Sequence, residues 1–187
     1  LKLAILANGL SLNDHDLTKI ALPVMGLNRS WKVYPGKGPD GPFAHVALDT
    51  DHYREAPAWY RAMSAWGKLY VAGGAWKELT PAAKILPIRT DVQFSTDLAE
   101  GVVCSLNGVG SVFYAALQVA YSLGYREVFA LGLDLSGPHF DGTPASPYVE
   151  RQNELFRFIP EDMSVLTCGS TESRAIFEKV EFGSVCE

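Results

Sequence analysis

Residues 101–134 are the stretch that most restricts what this chain can fold into. Residues 101–105 form a short apolar run, Asn107-Gly-Val-Gly110 reads as a turn, and residues 111–123 predict a helix that Gly124 ends as a C-cap. Glu127-Val-Phe-Ala-Leu-Gly-Leu-Asp134 is then a second strand closing on an acid. Strand, glycine turn, buried helix and strand within about thirty residues predict a βαβ unit with parallel strands and a right-handed crossover. Ligands of such sheets sit beyond the carboxyl ends of the strands, so function is sought in the loops that follow them.

The first half opens as an α/β chain does, and no internal repeat appears in the sequence. Residues 1–7 form an apolar run that stops at Asn8-Gly9, and residues 21–26 carry a second strand toward Asn28. A stretch dense in proline and glycine at 35–42 reads as a loop. Residues 43–48 predict a third strand, which delivers Asp49, Asp51 and His52 at its end. Residues 56–66 predict a helix with Trp59, Met63 and Trp66 on a core-facing side, and residues 68–72 a further strand. Residues 75–100 carry no clear periodicity and are read as an irregular insertion or lid. Beyond Asp134 come a loop at 137–148, a helix at 150–158 and a strand at 163–168. The whole predicts a single Rossmann-like α/β domain over residues 1–187, with a mostly parallel sheet flanked by helices. With 187 residues, 48% of them hydrophobic, the chain can build a core without staples.

Charge and cysteine usage exclude several classes. Lys+Arg number 16 against 21 Asp+Glu, a net charge of −5 with no basic run, so a nucleic-acid partner is not expected. The longest apolar stretch, around Val112, is interrupted by Gln118 and Ser122 and is too short for a membrane span of ~20 residues. Cys104, Cys168 and Cys186 are an odd set without metal-ligand spacing, and residue 1 runs into the first strand without a basic leader, so a reducing cytoplasm is expected. No metal site is assigned.

The candidate site residues lie at the strand ends. Asn8, Gly9 and Ser11 follow the first strand and Asn28 the second; uncharged polar groups there suit a base or ribose, although Asn-Gly is also a common turn dipeptide. Asn107, Gly110 and Ser111 place main-chain N–H groups and a hydroxyl at a helix N-terminus, an anion site, with Ser111 as a simple helix cap the alternative. Asp134 stands where dinucleotide folds hold an acid for ribose, but Phe113 breaks the glycine fingerprint. His139, on a Gly/Pro-rich loop, is the candidate general base, with Asp141 to orient it; the alternative is an exposed loop histidine. Asp49 is assigned to the donor or metal side, and His52 with Asp49 and Asp51 is a weak metal alternative. His15 and His45 are read as structural or incidental.

Three segments carry a resemblance: Ile5-Leu-Ala-Asn-Gly-Leu-Ser-Leu12, Gly26-Leu-Asn-Arg29, and the run from Gly110 through Ala115-Ala-Leu-Gln-Val-Ala120 to Leu131-Gly-Leu-Asp134. They resemble the bacterial sialyltransferases of glycosyltransferase family 42 and a broader group that includes phage-encoded proteins and archaeal 6-hydroxymethylpterin diphosphokinases. Ala7 and Leu10 stand where that group has glycine and proline. The resemblance implies a CMP-sugar or other nucleotide as substrate, with no tightly bound cofactor. Asn8, Ser11 and Asn28 would touch the nucleotide, Ser111 would face it, and His139 would serve as base. The resulting expectation is a nucleotide-sugar-dependent glycosyltransferase acting on a cell-surface glycan or lipopolysaccharide precursor. Its alternatives are a Mg²⁺-dependent diphosphokinase of a pterin-like alcohol, using Asp49, Asp51 or Asp134, and a nucleotide-binding protein without activity. The shortness of the chain leaves room for a homo-oligomer that completes the acceptor site.

Overall fold

The computed structural model describes residues 1–33, 42–72, 76–89, 93–103, 105–106, 109–135, 138–144, 154–168 and 176–186. Its strands are β1 (Lys2–Leu6), β2 (Val24–Leu27), β3 (Ala44–Ala47), β4 (Leu69–Ala72), β5 (Lys84–Leu86), β6 (Ile88–Arg89), β7 (Val102–Val103), β8 (Ser105–Leu106), β9 (Val109–Gly110), β10 (Glu127–Leu131), β11 (Ser164–Thr167) and β12 (Glu178–Lys179). Its α-helices are α1 (Asp51–Glu55), α2 (Pro57–Ala65), α3 (Trp76–Leu79) and α4 (Val112–Ser122). Eight strands form one sheet in the order β12-β11-β10-β1-β2-β3-β4-β5, and every neighbouring pair is parallel. This is the mostly parallel α/β architecture expected from the sequence.

Parallel strands buried on both faces must be apolar on both, and β1 shows how the sides divide. Leu3 and Ile5 join the core under α4, while Ala4 and Leu6 face the opposite cluster with Leu12, Leu17, Phe129 and Leu131. A third cluster, Met63, Leu69, Val71 and Trp76, packs α2 and α3 against β4. Of the three residues placed on the core side of α2, Met63 is buried and Trp59 half-buried, but Trp66 is exposed. Trp66 follows the last residue of α2, where the chain turns away.

The strand order places the switch point between β1 and β10. The chain steps from β1 outward to β5, returns through α4, and continues on the other side through β10, β11 and β12. One expectation is corrected here. Val102–Val103 does not lie in the sheet with β10; it pairs in parallel with Ile88–Arg89, and the parallel neighbours of β10 are β1 and β11. Gln118 explains the displacement. This wholly buried side chain accepts from the amides of Ser95 (3.1 Å) and Val103 (2.9 Å) and donates to the carbonyl of Val103 at 2.8 Å. The residue that interrupts the apolar stretch therefore bonds β7 to α4, satisfying main-chain groups that a sheet neighbour would otherwise hold. Residues 84–86, inside the stretch with no periodicity, supply the edge strand β5. Where a helix was expected at 150–158, the described part is a 3-10 turn at Glu154–Phe158.

Candidate functional site

At the switch point the β1 and β10 ends are sewn together. Ala7 N donates to Leu131 O at 2.8 Å and Gly9 N to Gly132 O at 2.6 Å, extending the ladder past both strands. Position 9 has no room for a side chain: a Cβ there would stand 2.5 Å from Gly132 O and 2.6 Å from the Asp134 carboxyl. The chain then enters a 3-10 turn at Leu10–Asp14, anchored by buried Leu12. Half-buried Ser11 of this turn meets the buried Asp134: Ser11 N donates to Oδ2 at 2.7 Å, and Ser11 Oγ donates to Oδ1. Ser11 and Asp134 were both assigned to a nucleotide. In the structure they bond each other, because a buried carboxylate requires donors and the 3-10 turn supplies two.

The loop at 138–144 crosses this turn. His139 forms an antiparallel bridge with Gly9, and Phe140 N donates to Asn8 O at 2.8 Å. Asn13 Nδ2 adds a bond to Phe140 O at 3.1 Å. The half-buried His139 is thus brought beside Asn8 and Gly9 by main-chain bonds. Asp141 does not take the orienting part expected of it. Its Oδ1 accepts from Thr143 N and Oγ1, and its Oδ2 from Lys32 Nζ at 2.7 Å, so the carboxylate fixes the loop to itself and to the 3-10 turn at Asn28–Lys32. Burial raises its pKa, but the bonds from Lys32 and Thr143 outweigh that and hold it well below the usual carboxylate range. Arg29 completes the tether, with Nε 2.8 Å from Glu55 Oε1 and Nη1 3.2 Å from Thr143 Oγ1. The hydrogen bond to Glu55 raises the Arg29 pKa and lowers that of Glu55.

Asn28 follows β2 and opens the 3-10 turn in the left-handed region, with φ of 42°. Its carbonyl accepts from Tyr60 Oη at 2.8 Å and lies 3.0 Å from His45 Nε2. The carbonyl can only accept, so Nε2 carries the proton. His45 is wholly buried, and burial pushes its pKa down to about 3, which keeps the ring neutral. The side-chain oxygens of Asn8 and Asn28 are both buried and have no hydrogen-bond partner among the described residues. His52 Nδ1, Trp31 Nε1 and Tyr53 Oη share that state on the segments after β2 and β3. Burial, then the neighbouring Arg29 charge, lowers the His52 pKa. The sequence singles out none of Tyr60, Arg29, Lys32 and Glu55 for this group, and His45 is read there as structural or incidental. A histidine inside an otherwise apolar strand was the one available signal, since a buried imidazole needs a partner.

The remaining assignments separate from this group. Asp49 is exposed, and its Oδ1 accepts from Asp51 N at 2.9 Å in a local turn, while Asp51 pairs with Arg54 at 2.7 Å. Among the described residues no group of three or more His, Cys, Asp or Glu side chains is placed to hold a metal ion. Ser111 is the cap of α4: its Oγ accepts from Tyr114 N at 3.3 Å. Gly110 lies in the β8–β9 hairpin, and Asn107 lies outside the described residues. Among the described residues no helix is long and apolar enough to cross a membrane.

No protein-family model matches the chain, and no curated protein matches it in sequence. Solved structures do match. The MAf glycosyltransferase from Magnetospirillum magneticum AMB-1 is 15% identical with a TM-score of 0.57, over 97% of this chain and 32% of that one. The sialyltransferase CstII from Campylobacter jejuni in complex with CMP-3FNeuAc is 12% identical with a TM-score of 0.58, over 95% of this chain and 85% of that one. The sialyltransferase CST-II in complex with a trisaccharide acceptor and CMP gives a TM-score of 0.54 at 12% identity, over 96% and 86%. The chain therefore spans about a third of the first of these proteins and most of the second. At such identities the likeness establishes a shared fold with glycosyltransferases.

Proposed function

We propose that the chain is a nucleotide-binding domain that transfers a sugar from a CMP-sugar or similar nucleotide sugar to a glycan hydroxyl. One observation carries the reading: Asn8 and Asn28, on neighbouring strand ends beside the switch point, each hold a buried side-chain oxygen without a partner. A buried acceptor left alone costs about 1–3 kcal/mol. A nucleotide supplies what these oxygens lack, as hydroxyls on the ribose or an amine on the base, at the edge where parallel α/β sheets bind ligands. The glycosyltransferase fold of the structural neighbours, among them sialyltransferases bound to CMP-3FNeuAc and to CMP, supports the same choice.

In this reading His139, bridged to Gly9, takes the proton from the acceptor hydroxyl. The hydroxyl oxygen bonds to the anomeric carbon, and the bond from that carbon to the phosphate oxygen breaks, its electron pair leaving with the nucleotide. Asp141, Lys32 and Arg29 keep the loop that carries His139 against the Asn28–Lys32 turn. Asp49 and Asp51 would serve the Mg²⁺-dependent diphosphokinase alternative, but they do not converge with Asp134 on one metal position among the described residues.

The experiment is a thermal-shift screen with CMP, CDP, UDP, GDP, ATP and NAD, with and without Mg²⁺, followed by transfer assays with the nucleotide sugar of whichever nucleotide stabilises the fold. A ligand at 100 times its Kd adds about 2.7 kcal/mol. His139→Ala is expected to retain the shift and lose turnover by about 10²–10⁴-fold. A shift with ATP that requires Mg²⁺ overturns sugar transfer in favour of pyrophosphoryl transfer. A shift with CMP and no transfer in the wild type leaves a nucleotide-binding protein.

A further inference from the structure

We infer that His45 and Tyr60 are positioning residues for the nucleotide site: by closing on the main-chain carbonyl of Asn28, they lock this residue in its left-handed conformation and aim its side chain at the ligand. The inference rests on the nucleotide reading above and adds to it the residues that make Asn28 available.

Non-glycine residues seldom adopt positive φ, and Asn28 does so at 42°. Something must hold it there. A carbonyl oxygen has two lone pairs, and at Asn28 two donors occupy them, Tyr60 Oη at 2.8 Å from α2 and His45 Nε2 at 3.0 Å from β3. Both donors are wholly buried. Trp59 packs edge-on to the imidazole at 4.7 Å and Tyr60 at 5.6 Å, so neither donor is free to swing away. One residue before it, Leu27 N donates to Ser30 Oγ at 2.9 Å, which ties the turn that Asn28 opens back to the last residue of β2. Core packing alone would be met by phenylalanine at position 60 and an aliphatic residue at 45. Two buried donors converging on one strained residue, whose own side-chain oxygen is left without a partner, are explained by a need to present that oxygen.

The probe is CMP, titrated calorimetrically into the wild type, Tyr60→Phe, Asn28→Ala and the double variant. In parallel, the Cα and Cβ NMR shifts of Asn28 in the free proteins report its backbone conformation. Tyr60→Phe keeps the ring and deletes one donor. It is expected to weaken CMP about tenfold in the wild-type background and less than about twofold when residue 28 is already alanine. His45→Leu is expected to weaken CMP similarly, while His45→Gln, which restores an N–H near the same point, recovers most of the affinity. An equal loss from Tyr60→Phe in both backgrounds, or no loss in either, overturns the inference. If the wild type binds no CMP, the nucleotide reading falls and the NMR shifts decide the clamp by themselves. Movement of Asn28 toward extended values in Tyr60→Phe upholds it, and unchanged shifts overturn it.

Discussion

The two neighbouring strand ends that make up the site handle their polar groups in opposite ways. At the end of β1 the groups answer one another: Ser11 meets Asp134, Gly9 meets Gly132, and Asn13 meets Phe140. At the end of β2 the support comes from behind, where His45 and Tyr60 hold the Asn28 backbone and leave its side-chain oxygen without a partner. Asn8 is the exception on the β1 side, with the same orphaned oxygen. The contrast separates scaffold from ligand surface. Closed polar pairs cost little to bury and rigidify the turn, whereas an orphaned acceptor destabilises the free protein, a cost that the proposed nucleotide would relieve.

The largest expected consequence falls on the β2 side and appears in acid. His45 has a folded pKa of about 3 against 6.5 for an ordinary histidine, so below pH 6.5 the unfolded chain takes up a proton that the folded chain refuses. Stability therefore falls as pH drops from about 6.5 to about 3, by ~1.4 kcal/mol per unit and on the order of 4–5 kcal/mol over the window. The lowered His52 pKa acts in the same direction. Glu55 and Asp141, whose pKa values are depressed, lose their contributions lower still, as pH falls through the folded values. Urea unfolding of the wild type and His45→Gln at pH 7, 5.5 and 4.5 measures this. A slope that His45→Gln leaves unchanged would mean that the imidazole is not held neutral.

On the β1 side the corresponding probe is Gly9→Ala. The added methyl meets main-chain Gly132 O and the Asp134 carboxyl well inside contact distance, and both are fixed by the ladder and by Ser11. The variant is expected to lose about 2–3 kcal/mol and to loosen the His139 bridge, read as faster amide exchange at Phe140. Equal stability in thermal melts would show that the two strand ends are not sewn together as described.

How much of this was legible depends on the range over which each signal acts. Strand ends are local, so apolar runs stopping at Asn8, Asn28 and Asp134 marked the carboxyl edge, and the loop reading of residues 137–148 is met over its described part, 138–144, which carries His139. Pairings across the chain left no such mark. Ser11 and Asp134 are 123 residues apart, and each read alone as a nucleotide ligand. Asp141 stood close enough to His139 to look like its partner, yet Lys32, 109 residues away in sequence, takes the bond. The displaced β7 has the same origin. Its strand character was evident, but its neighbour was decided by Gln118, a buried amide that in sequence only interrupts an apolar run. Strands as short as β5 and β6 contain too few residues to show a period.

The smallest expected effect discriminates most finely, because it sets two residues of one turn against each other. Ser11→Ala removes a hydroxyl that donates to the buried Asp134, leaving an acceptor short of a donor, and is expected to cost about 1–2 kcal/mol. Asn8→Leu removes an oxygen that has no partner to lose, while keeping the same branching of heavy atoms. It is expected to leave stability within about 0.5 kcal/mol of the wild type, or to raise it, because an unsatisfied buried acceptor has gone. The same variant should no longer gain stability from CMP. Thermal melts with and without CMP give both numbers in one experiment. If Asn8→Leu costs as much as Ser11→Ala, the Asn8 oxygen is bonded in the free protein and belongs to the scaffold. A stable Asn8→Leu that still responds fully to CMP would move the nucleotide off the β1 end and leave Asn28 to hold it.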